Sequence, residues 1–248
     1  MWLAGSRPPL RELFGHSEDG TVSKRDYFEE ITGKRARLRP RARRWQQMSP
    51  RLGALFGIME YLASTKALPR SVRRELTKYL PIAFVAALEG HIRLVYRDLV
   101  DHGEPYVSNC PQLKDSKFID RHAAGIRAGR ASIGELGAHL IRFTGLGDID
   151  DHLFTLMGFG FLHEVGLMPI WIEESRLPVT LNSLGRTQKV VDDVRQIFMH
   201  RHVHAHELAT RAHLSLTDAR QLCRAAYLFM WTVESFVGNQ LEGGLITP

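Results

Sequence analysis

The helical spacing of apolar residues from Trp45 onward is the feature that most constrains the fold. Apolar side chains recur every three or four residues, the repeat of a helix with one buried face, and no series alternates with the two-residue repeat of a strand. The chain has no internal repeat and no heptad run. The sequence therefore predicts an all-α fold, a helical bundle with additional side helices. One expected core stripe comprises Phe84, Leu88, Ile92, Val95 and Leu99.

Capping residues and prolines predict where helices begin. Ser132 and Glu135 have the spacing of a capping box, in which each side chain bonds the backbone N–H of the other residue. Ser215 and Asp218 have the same spacing before the last helix. Pro81 suits a first helical turn, so the helix over residues 81–102 is expected to start there, after a separate short segment that begins at residue 71.

The most apolar stretch, residues 153–172, is expected to be a buried core helix. His163, Glu164 and Pro169 interrupt it, which disfavours a membrane span. Asp148 is expected to cap a single helix over residues 149–165. The Pro-punctuated residues 169–185 have weak strand character and are expected to form a loop or a short hairpin.

Basic residues are concentrated near the amino terminus. The 248 residues carry a net charge of +6 and contain 26 Arg but only 7 Lys, a bias that suits phosphate contacts but that a GC-rich genome would also produce. Residues 1–44 are expected to be an extension, with a short helix that Ser23 caps and Gly33 ends, and residues 45–248 to be the helical domain. The basic run is either a solvated linker or an RNA-binding arm. Its candidate RNA-binding residues are Lys34, Arg35, Arg37, Arg41, Arg43 and Arg44.

The two cysteines, Cys110 and Cys223, are far apart in the sequence, and the amino terminus has no apolar leader. Reduced thiols and a cytoplasmic location are therefore expected. Two cysteines are also too few for a cysteine-based metal site.

A charged group interrupts the apolar stripe of residues 190–209. Val190, Val194 and Ile197 set the helical spacing, and Arg201 occupies a position where an apolar residue is expected. A guanidinium is rarely buried without a partner. His202 and His206 lie one turn apart beside it, and His204 is expected to face solvent. The sequence thus predicts a functional site on this helix.

The spacing of Arg201, His202 and His206 resembles the R-x4–6-H signature of the HEPN superfamily, in which a polar residue usually follows the arginine. The pattern occurs five times in the chain, but this occurrence lies mid-helix, replaces a core residue and precedes a capped terminal helix. The resemblance implies a HEPN-like bundle that acts as a metal-independent endoribonuclease without a cofactor. It also implies a homodimer with a composite site, and a setting in defence, stress or toxin–antitoxin control with an antitoxin or regulatory partner.

These residue types suit metal-free RNA cleavage. Histidine can take the 2′-OH proton and protonate the leaving 5′-oxygen, while arginine stabilises the charge that develops on the phosphate. The expected catalytic residues are therefore Arg201 and His206, with His202 orienting the pair. Residues five apart on a helix diverge by about 140°, so a two-fold dimer is expected to complete the site.

Two alternatives stay open. The cluster His200, His202, His204 and His206 has zinc-compatible i, i+4 spacing but no evident acidic partner motif. The second alternative is a non-catalytic HEPN-like module that binds RNA or nucleotides or interacts with a protein. It predicts that Arg201 pairs with a carboxylate such as Glu89 and that no basic cleft faces solvent. The nuclease hypothesis predicts a basic groove with exposed histidines. Glu89 itself is expected to be solvated and paired with Arg93.

Overall fold

The computed structural model describes residues 26–38, 43–169, 179–206 and 213–241, apart from the side chains of Ser116, Phe118 and His206. All regular secondary structure in these ranges is helical, which confirms the all-α prediction. The helices are α1 (Tyr27–Arg35), α2 (Arg44–Ser64), α3 (Arg70–His102), α4 (Tyr106–Asn109), α5 (Ser116–Arg127), α6 (Ile133–Leu140), α7 (Leu146–Met157), α8 (Phe161–Leu167), α9 (Thr187–His206) and α10 (Leu216–Leu241), with a short 3₁₀ turn at Pro111–Leu113.

Helix α3 lies at the centre of the bundle, where it contacts α2, α6, α9 and α10. Its expected stripe is buried over its whole length, from Phe84 through Leu99. Side chains from α9 and α10 pack into the same core, among them Val194, Ile197 and Phe229. The core therefore forms where the sequence stripes of these helices meet.

Pro81 lies inside α3 and does not begin a new helix. The helix runs unbroken from Arg70 to His102, so the predicted boundary at residue 81 is wrong. An interior proline removes one backbone hydrogen bond and costs about 3 kcal/mol. Leu80 and Phe84, on either side of it, are both fully buried. We attribute the continuity of α3 to this packing, which outweighs the local cost.

A glycine divides the predicted helix over residues 149–165. Helix α7 ends at Met157, where Gly158 adopts a left-handed conformation, and α8 begins at Phe161. The left-handed region is open to glycine at little cost, so Gly158 can stop the helix and turn the chain. Asp148 lies in the first turn of α7 and accepts from the backbone N–H and hydroxyl of Thr144. No described helix is both long and apolar enough to cross a membrane.

The capping predictions before α6 and α10 are confirmed. Ser132 Oγ accepts from the Glu135 N–H at 3.0 Å, and Glu135 accepts from the Ser132 N–H at 2.8 Å. Ser215 Oγ likewise accepts from the Asp218 N–H at 3.0 Å.

Helix α1 packs against α6 through a small apolar cluster around Phe28 and Ile31. Asp26 caps it by accepting from the N–H groups of Phe28 and Glu29. The helix continues through Gly33, so the predicted end at that residue is wrong. Ser23, the predicted cap, lies outside the described residues.

Candidate functional site: an arginine–glutamate pair beside a basic cavity

Arg201 is bound by a carboxylate from the central helix. Its Nη2 donates to Glu89 Oε1 at 2.8 Å, and the two side chains are only 23% and 19% exposed. The guanidinium on the α9 stripe therefore has the partner that its burial requires. The predicted pair between Glu89 and Arg93 is wrong in detail, because Arg93 Nη1 donates instead to the carbonyl oxygens of Ala138 and Ile141.

The pair lies in a partly desolvated environment. Burial raises the pKa of Glu89 above its ordinary value, although the charges of Arg201 and Arg93 act in the opposite direction. Burial also lowers the pKa of Arg93. Charges that interact away from bulk water are screened less by salt than exposed pairs. The Glu89–Arg201 contact is thus a strong local constraint on the position of the guanidinium.

The histidines of α9 lie in two different environments. His202 is exposed, whereas His200 and His204 are half-buried and stack with ring centroids 5.6 Å apart. His204 was expected to face solvent; instead its Nε2 is buried, with no hydrogen-bond partner among the described residues. Burial lowers the pKa of both stacked rings. The side chain of His206, the predicted acid or base, lies outside the described part of the protein.

A small polar pocket of about 230 Å³ adjoins the stacked histidines. His200 lines it together with Gln196, His213, Asp218 and Gln221. In the described ranges, no three His, Cys, Asp or Glu side chains are grouped closely enough to hold a metal ion.

A larger cavity, of about 470 Å³, is lined by Glu89 and lies between α1, α2, α3 and α6. Six basic side chains line it against two carboxylates, Glu89 and Glu135. The chain therefore has a cation-rich cavity beside the Glu89–Arg201 pair. The six are Lys34, Arg35, Arg37, Arg51, Arg93 and Arg97.

Three of the predicted RNA-binding residues line this cavity. Lys34 Nζ donates to His139 Nδ1 at 2.9 Å, and Arg35 forms a two-point ion pair with Glu135. These contacts hold the end of α1 against α6. Arg37 is exposed at the cavity edge, with no side-chain partner among the described residues.

The other three predicted RNA-binding residues lie elsewhere. Arg43 is exposed just before α2, and Arg41 lies outside the described residues. Arg44 is buried and pairs with Asp98 at 2.7 Å and Glu234 at 3.0 Å. Phosphate binding by all six residues stays a prediction, and for Arg44 it would require these two ion pairs to open.

The Arg44 contacts belong to a buried network that joins α2, α3 and α10. His91 is fully buried, and its Nε2 lies 2.9 Å from the carboxylate of Glu234. Although burial alone would raise it, hydrogen bonds from His91 and Arg44 hold the pKa of Glu234 below its ordinary value. The ionised carboxylate accepts the His91 proton at Nε2, which leaves Nδ1 buried without a partner in the described protein. We assign this network a structural role.

Sequence reasoning did not identify Arg51, Arg93 and Arg97 as cavity residues. A signal was present, because Glu89, Arg93 and Arg97 follow each other at four-residue spacing and so share one face of a helix. That spacing alone is equally typical of a solvated helix face. The packing of α1 and α6 over this face encloses it.

Comparison with known proteins gave no significant match to any protein-family model, curated protein or solved structure. No known family therefore supports or contradicts the HEPN resemblance, which stays a prediction from the Arg201 motif.

Proposed function

We propose that this protein binds RNA and cleaves it without a metal ion, with Arg201, His206 and His202 as the reacting groups. One observation carries the proposal: the cation-rich cavity lies beside the Glu89–Arg201 pair, and the exposed His202 follows Arg201 directly. A cavity with six basic groups against two acidic ones favours a polyanionic ligand. The neighbouring helix carries the residue types that metal-free phosphodiester cleavage uses.

In the proposed reaction the 2′-oxygen of the RNA attacks its own phosphate. One histidine takes the 2′-OH proton, the new O2′–P bond forms and the P–O5′ bond breaks. A second histidine gives a proton to the leaving 5′-oxygen. The products are a 2′,3′-cyclic phosphate and a 5′-OH end, and water is not consumed in this step. The Arg201 guanidinium would stabilise the developing phosphate charge, held in position by Glu89.

We include a homodimer in the proposal, because positions 201 and 206 are five residues apart on α9 and therefore diverge by about 140° around the helix axis. The exposed face of α9 also carries Met199, which is 67% exposed and lies less than one turn before His202. Placing this apolar side chain against a second copy of α9 would remove it from water and bring positions 202 and 206 of the two copies together, because they share the face of Met199.

The decisive experiment is cleavage of RNA by the purified protein in EDTA. Wild type is expected to give cyclic-phosphate ends, and Arg201→Ala, His206→Ala and His202→Ala to lose most of this activity. Arg195→Ala on the same helix and His163→Ala on α8, both at exposed positions, are matched controls expected to retain it. The Arg201→Gln/Glu89→Gln double variant avoids leaving a buried unpaired charge, so loss of activity there cannot be ascribed to unfolding alone.

Mixing two inactive variants tests the composite site. If each site takes Arg201 from one copy and His206 from the other, a mixed dimer of Arg201→Ala and His206→Ala regains one intact site. Partial recovery of cleavage on mixing is therefore expected. No recovery, with mixed dimers demonstrated by light scattering, would exclude a site shared in this way.

A second candidate function, a non-catalytic RNA-binding or interaction module, is favoured by one observation. Arg201 pairs with Glu89 at 2.8 Å, as this alternative predicts. The basic cavity is the feature that this alternative did not predict. A folded protein that binds RNA with unchanged affinity after Arg201→Ala, and that cleaves nothing with or without divalent metals, would establish the module and exclude the nuclease.

A further inference from the structure

The cavity beside Glu89 supplies positive charge but no reacting group to the proposed cleavage, and it has the size and lining of a small-molecule site. Its volume of about 470 Å³ lies within the roughly 300–1,000 Å³ that is typical of ligand pockets. Its lining divides into an apolar part and a cationic part. A ligand that fits this cavity would contact both the apolar part and the cationic part.

The apolar part exists because α3 carries small residues where it faces the cavity. Ala86, Ala87 and Gly90 lie within one turn of each other, and Met48 from α2 and Ala138 from α6 complete the apolar floor. A Cβ added at Gly90 would have no heavy atom within 4 Å. The floor is thus open above Gly90, where a flat ring would contact apolar and polarisable side chains favourably.

The cationic part contains two arginines that are available to bind a ligand. No side-chain hydrogen bond or ion pair engages Arg37 or Arg51 in the described ranges, although both are exposed at the cavity edge. Arg93 donates only to neutral carbonyl oxygens and so keeps its positive charge. The two acidic groups are already neutralised, because Glu135 pairs with Arg35 and Glu89 with Arg201.

We propose that this cavity binds a nucleoside phosphate, with the phosphate held by Arg37 and Arg51 and the base placed on the apolar floor. Arginine presents a planar fork of donors that matches phosphate oxygens, and two unpaired arginines can share one phosphate. A simple anion would use the arginines but leave the floor empty, and an apolar ligand would leave the arginines without an anion. The ligand is either a free nucleotide or the terminal nucleotide of an RNA chain.

Calorimetric titration of the 248-residue protein tests this inference. Adenosine and uridine monophosphates are expected to bind, while the nucleosides and inorganic phosphate bind at least about tenfold more weakly, since each lacks one of the two contacts. Equal binding of inorganic phosphate would reduce the cavity to an anion site and overturn the proposal. Absence of nucleotide binding would overturn it as well.

Three variants locate the bound nucleotide. Arg37→Glu and Arg51→Glu are each expected to weaken binding at least about tenfold, because a charge-assisted hydrogen bond becomes a repulsion. Gly90→Leu is expected to fill the cavity and abolish binding without lowering the unfolding temperature, because leucine favours helix more than glycine. The exposed Arg224→Glu on α10 is the matched control. Unchanged binding in all three cavity variants would place the ligand elsewhere.

Short RNAs with and without a 5′-phosphate distinguish the two sources of the ligand. Displacement of a bound mononucleotide by the phosphorylated RNA alone would assign the cavity to an RNA end, and failure of both RNAs to displace it would assign the cavity to a free nucleotide. The inference does not depend on cleavage: His202→Ala and His206→Ala are expected to bind nucleotide as wild type does. Loss of cleavage and loss of nucleotide binding are therefore separable results.

Discussion

Glu89 and Arg201 lie 112 residues apart in the chain and are joined by a hydrogen bond of 2.8 Å between α3 and α9. The contact explains how a guanidinium can occupy a core-facing position of α9. It also connects the two halves of the candidate site, because Glu89 lines the basic cavity while Arg201 precedes the exposed His202. The free energy that the Glu89–Arg201 pair contributes to stability is therefore the first quantity to measure.

The raised pKa of Glu89 predicts a pH effect on stability. A carboxyl whose pKa is raised by burial in the folded state contributes stability that is present below its unfolded value and is lost as the pH rises through the folded value. Wild type is therefore expected to lose stability relative to Glu89→Gln as the pH rises above the ordinary range of a glutamate carboxyl. Urea unfolding of both proteins across this range measures it, and a constant difference between them would contradict the raised pKa.

The stacked histidines predict an effect of opposite sign. Burial lowers the pKa of His200 and His204, so the unfolded chain binds their protons more readily than the folded protein does. The stability they contribute is complete above their ordinary pKa and is lost as the pH falls through the folded values. His204→Gln is expected to reduce the fall of the unfolding temperature as the pH drops through and below the ordinary histidine range, and an equal fall in both proteins would contradict the lowered pKa.

The buried ion network predicts a large difference between two arginines of α2. Arg44→Ala removes a buried guanidinium from Glu234 and Asp98, which keep only His91 and Arg97 as partners, and the expected loss is about 3 kcal/mol of unfolding free energy. Arg51→Ala removes an exposed side chain with no ion pair in the described ranges, and a change within about 0.5 kcal/mol is expected. Chemical denaturation of both variants measures the difference. Similar losses of unfolding free energy in the two variants would show that the buried ion pairs of Arg44 do not stabilise the protein.

Replacing two glycines on neighbouring helices by alanine is expected to change the stability of the protein in opposite directions. Gly90→Ala in α3 meets open space and is expected to stabilise the protein by about 0.5–1 kcal/mol through helix propensity. At Gly134 the added Cβ would contact the Arg97 carbonyl and lie 2.7 Å from the Asp101 carboxylate. Gly134→Ala is therefore expected to destabilise the protein although it lies in a helix. Thermal unfolding compares the two, and stabilisation by both would show that α6 can move away from α3.

The cysteines are expected to be unreactive in the folded protein. Cys110 and Cys223 are free and fully buried, and burial raises the pKa of Cys223 to about 12. A thiol reagent needs an accessible thiolate. Titration with such a reagent should detect both thiols in denaturant and neither in the native state. Rapid reaction of one thiol without denaturant would locate a part of the bundle that opens.

The sequence alone determined the relationships that lie within single helices. The spacing of Phe84, Leu88 and Ile92 predicted a buried face, and Ser132 and Ser215 predicted the starts of α6 and α10, because apolar repeats and caps act over a few residues. The position of Arg201 on an apolar stripe required a partner for the same local reason. Its association with His206 in RNA cleavage stays a prediction.

Only the tertiary structure decided which helices supply the partners. It selected Glu89 for Arg201, kept α3 continuous through Pro81, and buried Arg44 in a carboxylate network that its place in a basic run did not suggest. It also placed α1 and α6 over one charged face of α3, which encloses the basic cavity. Such contacts depend on how separate helices pack, and packing energies from distant residues outweigh the local preferences that a sequence pattern expresses.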